Sequence, residues 1–261
     1  MPRGGDGRPP RRSLPACRLE PDGSRASGLE RPGGLMVPGA RLVILGKQGA
    51  GKGTQCVRLA RHYVVPHIST GDMFRAAQKS GTEFGQRAKE YMDAGELIPD
   101  EVVVGVVKER LEQDDTAHRG FILDGFPRTR YQAEELSRML APHDIDLAID
   151  IDVPTEIVLD RLASRRVCST CGTNYSVQSP PRYDWTCDVC GGEVVQREDD
   201  TEEAIKRRLA LYEAETEPLI EWYLERDKLV ALDGTGSPDR VTTRLIGAID
   251  RRRERGGMRR H

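Results

Sequence analysis

Short runs of apolar residues alternate along the chain with longer segments in which apolar residues recur every three or four positions. Such runs are typical of strands buried in a parallel sheet, and the longer segments of amphipathic helices. Strands are predicted at 41–46, 120–125, 147–153 and 228–234, with a weaker one at 65–69. Helices are predicted at 52–63, 70–80, 82–94, 100–113, 129–141, 154–165, 201–226 and 238–252. Because helices separate the strands, the pattern predicts a doubly wound α/β fold with five parallel strands.

A glycine-rich segment joins the first predicted strand to the first predicted helix and reads GKQGAGKGTQ from Gly46 onward. Gly46, Gly51 and Lys52 fit the phosphate-binding pattern GxxxxGK[ST], but Gly53 follows and the hydroxyl comes one place late, at Thr54. Glycines bring backbone N–H groups close to phosphate oxygens, and a helix N-terminus adds about half a positive charge. This context favours a nucleotide-binding loop over a glycine-rich turn without a ligand.

Two further segments indicate a second ligand beside the nucleotide. STGDMFRAA places Thr70 and Arg75 about a turn apart near a predicted helix start, which suits a phosphate and a base edge. DGFPRTRYQ begins with Asp124 at the end of a predicted strand and includes Arg128. Ligands gather at the carboxyl ends of parallel strands, so both residues are expected to face the crevice of Lys52. Singly, Asp124 also fits a turn cap, and each arginine fits a surface ion pair.

Four cysteines follow the pattern C-x2-C-x15-C-x2-C, and a glycine follows each pair, at Gly172 and Gly191. This spacing predicts a closed structural zinc site, with iron or two disulfides as alternatives, and it leaves no open position for metal catalysis. A reducing cytosol argues against disulfides. Cys17 and Cys56 lie outside the set, and Cys56 is predicted to face the core from a helix. The predicted ligands are Cys168, Cys171, Cys187 and Cys190.

Composition narrows the classes of function. Lys plus Arg number 40 against 42 Asp plus Glu, which gives a net charge of −2. The chain therefore has no overall positive charge that would favour binding to nucleic acid or to an anionic membrane. Any bound phosphate must be contacted by arginines placed locally. No apolar run approaches the roughly 18 to 20 residues of a membrane span, and no signal-peptide pattern occurs, so a soluble cytoplasmic protein is expected.

The two ends of the chain differ from the middle. Residues 1–40 are rich in Gly and Pro and lack apolar periodicity, so a disordered extension is predicted. We favour Met36 as the true start; the acidic residues and prolines argue against a transit peptide. Residues 251–261 form a basic tail, predicted to be a solvated end rather than a nucleic-acid arm.

Several motifs in order resemble the adenylate kinases: GAGKGTQ, STGDMFR, GELIPDE, DGFPRT and a cysteine-bearing segment followed by QREDD. The resemblance runs from about Arg41 to Ile249 and accounts for the late Thr54. One departure is Lys47 and Gln48, where the family usually has a small residue and Pro. The resemblance implies a long-form enzyme with a P-loop NTPase-like core over 41–250, an AMP-binding insertion at 69–98 and a zinc lid at 164–200.

The resemblance also implies roles for individual residues in reversible phosphoryl transfer from Mg-ATP to AMP by a monomer, giving two ADP without a covalent intermediate. It places Gly49, Ala50, Gly51, Lys52, Gly53, Thr54, Arg161, Arg165, Asn174 and Tyr175 at ATP. It places Thr70, Arg75, Glu96, Leu97, Ile98, Gly125, Phe126, Pro127, Arg128, Gln132, Arg197 and Arg208 at AMP, with Gln132 at the adenine edge. The implied catalytic set is Lys52, Asp124, Arg128, Arg165, Arg197 and Arg208, with Asp124 ordering magnesium through water.

The cysteine-bearing insertion has about 36 residues, too few for a substantial core of its own, so a bound metal is expected to stiffen it. A rigid lid hinged near Ser164 and Asp200 would carry Arg165 and Arg197 over ATP and exclude water. We expect lid opening, rather than chemistry, to limit turnover.

Other functions remain open from the sequence. A zinc-containing nucleic-acid module would explain the cysteines, but aromatic residues make up only 5%. A P-loop switch without an acceptor would leave Arg75, Arg128 and Gln132 without a role. A kinase for another nucleoside monophosphate is the nearest alternative, because Thr70 and Gln132 alone do not determine the base. None of the five histidines lies in the motifs quoted above, so a phosphohistidine intermediate is disfavoured.

Overall fold

The computed structural model describes residues 39–117, 119–197 and 199–255; residues 1–38 of the predicted extension and 256–261 of the predicted tail lie outside these ranges. The described residues form eight strands: β1 (Ala40–Leu45), β2 (His67–Ser69), β3 (Gly120–Asp124), β4 (Leu147–Asp152), β5 (Arg165–Cys168), β6 (Asn174–Ser176), β7 (Val194–Val195) and β8 (Leu229–Asp233). All five predicted strands are present, as β1, β2, β3, β4 and β8.

Ten α-helices occur within the same residues: α1 (Lys52–Tyr63), α2 (Thr70–Lys79), α3 (Glu83–Ala94), α4 (Asp100–Leu111), α5 (Asp114–Ala117), α6 (Arg130–Leu140), α7 (Thr155–Ser164), α8 (Glu202–Leu211), α9 (Pro218–Leu224) and α10 (Pro238–Glu254). Ser69, Thr82, Thr129, Thr201 and Ser237 cap helices with their side-chain oxygens. Because α10 continues to Glu254, residues 251–254 of the predicted tail are helical.

The main sheet is parallel throughout, in the order β2-β3-β1-β4-β8. Asp124, the last residue of β3, is in register with Ile44 on one side and Ser69 on the other. The carboxyl ends of these three strands therefore meet at one edge. The loops that follow them carry the motifs singled out in the sequence, so the predicted α/β architecture brings those motifs together.

Successive residues of the strands point to opposite faces of the sheet and divide the interior into two cores. Leu42 and Ile44 of β1 belong to the first core, under α1 and α10, whereas Val43 and Leu45 belong to the second. The first core also contains Cys56, which is fully buried, as its position in the helical pattern predicted. Burial on both faces explains why the strands are almost continuously apolar.

The predicted single helix at 201–226 is wrong, because α8 and α9 are separated by a π-helical turn, Tyr212–Thr216. There the N–H of Glu217 donates to the carbonyl oxygen of Tyr212 at 2.8 Å. The next residue, Pro218, has no N–H to donate and occupies the first turn of α9, where none is needed. The helical periodicity of the sequence continues across the interruption and conceals it.

The cysteine-bearing insertion contains a small antiparallel sheet in the order β6-β5-β7. Its strands have only two to four residues, too few for an apolar alternation to stand out in the sequence. The insertion has an apolar cluster of its own, formed by Cys168, Cys187 and Val194 with Tyr175 packed against it. Elsewhere, no helix within the described ranges is long and apolar enough to cross a membrane.

Candidate active site

The loop between β1 and α1 is built around glycines that no other residue can replace without strain. Gly46 and Gly49 have φ values of 130° and 86°, in the left-handed region. A Cβ at Gly46 would lie 2.7 Å from the carbonyl oxygen of Ile151, and one at Gly49 would lie 2.9 Å from Cγ of Leu162. The loop thus packs closely on β4 and α7 and ends at the N-terminus of α1, where Lys52 begins the helix.

Lys52 folds back over this loop. Its Nζ donates to the carbonyl oxygens of Gly46 at 2.7 Å and Lys47 at 2.9 Å. Burial lowers its pKa to about 8, with Asp124 opposing the change and Arg128 adding to it. Among the residues described, no carboxylate forms an ion pair with this ammonium group. A partly buried cation over a glycine-rich loop is suited to phosphate oxygens.

Asp124 lies at the centre of the crevice. It ends β3, and a Cβ added to Gly53 of α1 would lie 3.4 Å from its Oδ2. The same oxygen lies 3.4 Å from Nε2 of His67. The carboxylate therefore faces the start of α1, as predicted from its position at the end of a strand.

Arg128 is held on the other side of the crevice by the turn after β3. Its Nε donates to the carbonyl oxygen of Gly125 at 2.9 Å, and Thr70 Oγ1 donates to the same oxygen at 3.0 Å. Gly125 has φ 79°, and a Cβ there would lie 3.0 Å from Thr70 Oγ1. Burial lowers the pKa of Arg128, and the nearby charges of Arg208 and Arg75 lower it further. Within the described ranges Arg128 has no carboxylate partner, so a phosphate would offset this repulsion.

Gln132 is buried beneath this turn. Its Oε1 accepts from the backbone N–H of Arg128 at 2.8 Å, and its Nε2 donates to Asp100 Oδ1 at 2.7 Å. Thr129 Oγ1 donates to the other oxygen of Asp100 at 2.8 Å. Thr216, in the π-helical turn, donates to the carbonyl oxygen of Arg128 at 2.9 Å. Gln132 thus fixes the turn that carries Arg128 and retains one donor and one acceptor position for a ligand.

The other residues predicted for an acceptor surround this turn less closely. Arg75 forms an ion pair with Asp72 on α2. Glu96 pairs with Arg207 at 3.2 Å, and Ile98 packs beside the second core. Phe126 is 1% exposed and belongs to that core, so only its backbone is available to a ligand. Leu97 is partly buried, and Pro127 is buried.

Three arginines converge on two adjacent aspartates, an arrangement we call the arginine clamp. Arg165 Nε donates to Asp200 Oδ2 at 2.7 Å. Arg197 donates from Nε and Nη2 to both oxygens of Asp199, at 3.0 and 2.9 Å. Arg208 Nη2 also donates to Asp199, at 3.0 Å. The clamp thus joins the strand that enters the lid, the segment that leaves it and α8.

The clamp excludes solvent from its carboxylates. The side chain of Asp200 has no exposed surface, and that of Asp199 is 11% exposed. Burial on its own would raise the pKa of Asp199, but Arg197 and Arg208 outweigh it and hold that pKa at about 2. Burial lowers the pKa of Arg165, and the charge of Arg197 adds to the effect. Arginine and aspartate side chains of opposite charge are therefore largely buried together at the base of the lid.

Gln48 connects the phosphate loop to the clamp. Its Nε2 lies 3.3 Å from Asp200 Oδ1. With the carboxamide turned over, its oxygen accepts from Arg208 at 2.8 Å and from Arg165 at 3.1 Å. Either orientation gives a direct hydrogen bond between the loop and the clamp. The side chain of a proline at this position would offer neither a donor nor an acceptor.

Arg161 lies between the phosphate loop and the end of β8. It donates to the carbonyl oxygen of Ala50 and to that of Gly234, both at 3.2 Å. Thr54, in the first turn of α1, is exposed. Gly51 has φ 96°, and nothing lies within 4 Å of the position its Cβ would take. The outer side of the loop therefore remains open.

The four cysteines of the insertion bring their sulfur atoms to one point, all within 4.8 Å of one another. Cys168 and Cys190 are 3.5 Å apart, and Cys171 and Cys187 are 3.6 Å apart. These distances are far longer than the roughly 2.05 Å of a disulfide. They are close to the separation of about 3.8 Å expected for two thiolates bound to a tetrahedral ion at 2.3 Å. The cluster is therefore compatible with zinc.

Tyr175 supports this cluster from inside the lid. Its hydroxyl donates to Cys187 Sγ at 3.4 Å and accepts from the N–H of Asp188 at 2.8 Å. The hydrogen bond from Tyr175 lowers the pKa of Cys187 to about 6, which favours the thiolate that binds a metal. Asn174, predicted with Tyr175 to line an ATP site, is exposed at the start of β6.

Known proteins are similar to this chain in sequence. A family model described as adenylate kinase matches residues 44–228. The adenylate kinase of Thermodesulfovibrio yellowstonii is 50% identical over 215 residues, covering 81% of this chain and all of that protein. The chain belongs to the adenylate kinase family. The enzyme from Acetivibrio thermocellus is 50% identical over 212 residues (80% of this chain, 97% of that protein), and that from Oceanobacillus iheyensis is 52% identical over 196 residues (74% and 91%).

This membership confirms the resemblance, the P-loop α/β fold and the assignment of the chain as a phosphotransferase that interconverts ATP and AMP with two ADP. Adenylate kinases use Mg²⁺ with ATP. In this adenylate kinase the structure brings the glycine-rich loop, Asp124, Arg128 and the clamp arginines to one crevice. The roles of individual residues stay predictions.

Some residues that build the crevice did not stand out in the sequence. Asp199 was visible only as part of QREDD and Asp200 was noted only as a hinge of the lid, and the signal for both was their position two and three residues after Arg197. Asp100 was visible only as part of GELIPDE, and Thr216, in the π-helical turn, carried no local signal. Gln48 was noted only as a departure from the family pattern, and the structure gives it a place between the loop and the clamp.

Proposed function

We propose that this enzyme transfers the terminal phosphoryl group of Mg-ATP to AMP in the crevice between Lys52 and Arg128, without a covalent intermediate. The observation that most supports this is the pair of partly buried cations near Asp124, neither with a carboxylate partner among the described residues. Buried, unpaired cations are costly, and bound phosphates offset that cost. One cation serves the donor and the other the acceptor.

On the donor side, the backbone of Gly49, Ala50, Gly51, Gly53 and Thr54 surrounds the ATP phosphates, and Lys52 bridges donor oxygens. Arg161 and Arg165 approach ATP from the far side, with Asn174 and Tyr175 lining its site. Support comes from the positive φ values of the loop glycines and from the hydrogen bond of Arg161 to Ala50.

On the acceptor side, Arg75 and Arg128 hold the phosphate of AMP, and Gln132 reads the adenine edge. The remaining contacts come from Thr70, Glu96, Leu97, Ile98, Gly125, Phe126 and Pro127. Phe126 contributes only its backbone. The proximity of Arg128 to Arg75 and Arg208 supports a shared anion.

The chemistry requires alignment and charge compensation rather than a general base, because the AMP phosphate is already an anion. Lys52, Arg128, Arg165, Arg197 and Arg208 supply positive charge to the transferring group. Asp199 and Asp200 keep the clamp arginines from repelling one another before nucleotides bind. Asp124 orders the magnesium of Mg-ATP through water, in keeping with the preference of that ion for carboxylates and water.

We propose zinc as the metal of the lid, bound by Cys168, Cys171, Cys187 and Cys190. The sulfur separations fit a tetrahedral ion, and the small apolar cluster of the lid gives it little stability of its own. The metal holds the insertion rigid and takes no part in the transfer.

We also propose roles for the parts of the chain. A core at 41–250 carries an AMP-binding insertion at 69–98 and a lid at 164–200, hinged near Ser164 and Asp200, and lid opening limits turnover. The enzyme works on ATP, AMP and ADP as a monomer in the cytoplasm. Its net charge of −2 provides no broad basic surface for nucleic acid.

The test is ADP formation from Mg-ATP with AMP, UMP, CMP or GMP offered separately, beside an acceptor-free control. Rapid ADP formation with AMP alone is expected. A preference for UMP or CMP would retain the transfer and overturn the role of Gln132. Slow hydrolysis that ignores every monophosphate would overturn the proposed transfer.

A further inference from the structure

Three potential metal ligands outside the lid converge at the base of the crevice. Cys56 Sγ, a ring nitrogen of His67 and a carboxylate oxygen of Asp124 all lie within 4.8 Å of one another. Cys56 is fully buried, and the side chains of His67 and Asp124 are 18% and 13% exposed. A thiol, an imidazole and a carboxylate are the three donor types that bind zinc in proteins.

The pairing of β2 with β3 and the position of α1 bring these three residues together. His67 of β2 is paired with Ile122 of β3, and Asp124 follows Ile122 by two positions, so His67 and Asp124 point to the same face of the sheet. Ile122 belongs to the first core, which α1 covers. Cys56 lies on the buried side of α1, one turn after Lys52. The sulfur thus points toward the two strand residues.

The spacing suits a tetrahedral ion. Two nitrogen or oxygen ligands at 2.0–2.1 Å from zinc are about 3.3 Å apart. His67 Nε2 and Asp124 Oδ2 are separated by 3.4 Å. In such a site the sulfur lies about 3.5 Å from the nitrogen and from the oxygen. The Cys56 sulfur lies within 4.8 Å of both atoms, so it needs to move closer to them by at most about 1.3 Å.

We propose that Cys56, His67 and Asp124 form a second, inhibitory binding site for a thiophilic divalent cation such as Zn²⁺. The cation binds the Cys56 sulfur, and the thiol proton leaves to solvent. One thiolate and one carboxylate then balance the two charges of the ion. Water fills the fourth position, as in zinc sites with three protein ligands. The charge of Lys52 opposes the ion, but the ammonium group is directed to the carbonyl oxygens of Gly46 and Lys47.

Occupation of this site removes Asp124 from the nucleotide-bound magnesium and places a cation beside Lys52, so it blocks transfer. This consequence rests on the proposed role of Asp124, whereas the binding of the cation does not. Metal uptake and inhibition are therefore measured separately.

Uptake is measured on the full chain without nucleotide, by dialysis against buffered free Zn²⁺ followed by metal analysis. The metal of the lid is a background common to every variant. The wild type is expected to take up one more equivalent than Cys56→Ala or His67→Gln. His62→Gln, which changes an exposed histidine on α1, is the matched control and should retain the extra equivalent. Co²⁺ offered to chains in which only the lid holds zinc should give a thiolate charge-transfer band in the wild type and His62→Gln, and none in Cys56→Ala.

Equal uptake in the wild type, Cys56→Ala and His67→Gln would overturn the site. The two variants remove different ligands, so a failure of one to fold leaves the other decisive. Activity is then followed at saturating Mg-ATP and AMP with free Zn²⁺ held constant by a buffer. At full occupancy the wild type should lose at least about tenfold in rate, and Cys56→Ala should keep its rate. Equal inhibition of both would overturn the inhibitory role while leaving the uptake result intact.

Discussion

Gln48 of the phosphate loop touches Asp200 at the end of the lid, with 3.3 Å between Nε2 and Oδ1. Asp200 in turn binds Arg165, whose Nε lies 2.7 Å from Oδ2. A residue that departs from the family pattern therefore joins the loop that surrounds the donor phosphates to the arginine clamp. The contact orients arginines that the proposed transfer needs.

Gln48→Ala removes this contact and should lower kcat roughly ten- to a hundredfold, since one hydrogen bond to a charged group contributes roughly 1.5 to 3 kcal/mol. The KM for AMP should change less than kcat, because Gln48 contacts neither Thr70 nor Arg128 and reaches the AMP residues only through Arg208. Steady-state kinetics with each substrate varied in turn measures both effects. Gln113→Ala, on the exposed turn before α5, is the control and should behave as wild type. A rise in KM for AMP without loss of kcat would contradict this role.

Lys52 should take up a proton when ATP binds above neutral pH. Its pKa of about 8 in the free enzyme leaves it mostly neutral near pH 9, and a bound phosphate favours the charged form. Calorimetric titration of Mg-ATP at about pH 9, in buffers of different ionisation enthalpy, should report an uptake approaching one proton per ATP. Near pH 7 the uptake should vanish. Lys52→Met should abolish the buffer dependence, and persistence of that dependence would assign the proton to another group.

Arg128→Ala should reduce kcat/KM for AMP by roughly a hundredfold or more, because it removes a cation aimed at the transferring charge. The melting temperature should stay the same or rise, since the substitution relieves a buried cation from the field of Arg208. Arg130→Ala, two residues on, changes an exposed arginine paired only with Glu134 in the described structure and is the matched control. Equal losses of kcat/KM in Arg128→Ala and Arg130→Ala would show that these arginines act through their overall positive charge and not through a specific contact of Arg128.

Asp199→Asn should destabilise the folded protein by about 2 kcal/mol near neutral pH, because Arg197 and Arg208 lose their shared partner in a buried place. The pKa of Asp199 is about 2, below its ordinary value of 3.8. The stabilisation is therefore complete above pH 4 and is lost as the pH falls toward 2. Urea unfolding of both proteins from pH 7 to pH 2.5 should show the difference shrinking. A constant difference would assign the effect to packing.

Cys168→Ala should lower the melting temperature by about 10 °C, since loss of a structural metal costs several kcal/mol and each shifts a domain of this size by about 2 to 4 °C. Tyr175→Phe removes the hydrogen bonds of the hydroxyl to Cys187 and Asp188 but leaves all four cysteines, so it should shift the melting temperature much less, with the metal retained. Differential scanning fluorimetry with metal analysis distinguishes the two. An unchanged melting temperature and metal content in Cys168→Ala would refute the proposed stabilising role of the metal.

The sheet and the phosphate loop were predictable because they depend on local signals: apolar runs, a glycine-rich turn and a lysine at a helix start. Asp124 and Arg128 were predictable from one topological rule about strand ends. The clamp was not, because the pairing of Arg165 with Asp200 and of Arg208 with Asp199 depends on how the lid returns to the core. The strands of the lid were missed because they are shorter than any readable alternation.

The π-helical turn at Tyr212–Thr216 divides one helical segment between the two sides of the sheet. Before it, Ile205 belongs to the first core; after it, Trp222 belongs to the second. Deleting one residue from the turn would rotate α9 by about 100° relative to α8 and swing Trp222 out of its layer. We therefore expect a change in the length of this turn to disturb the two cores more than a substitution at one of its exposed positions.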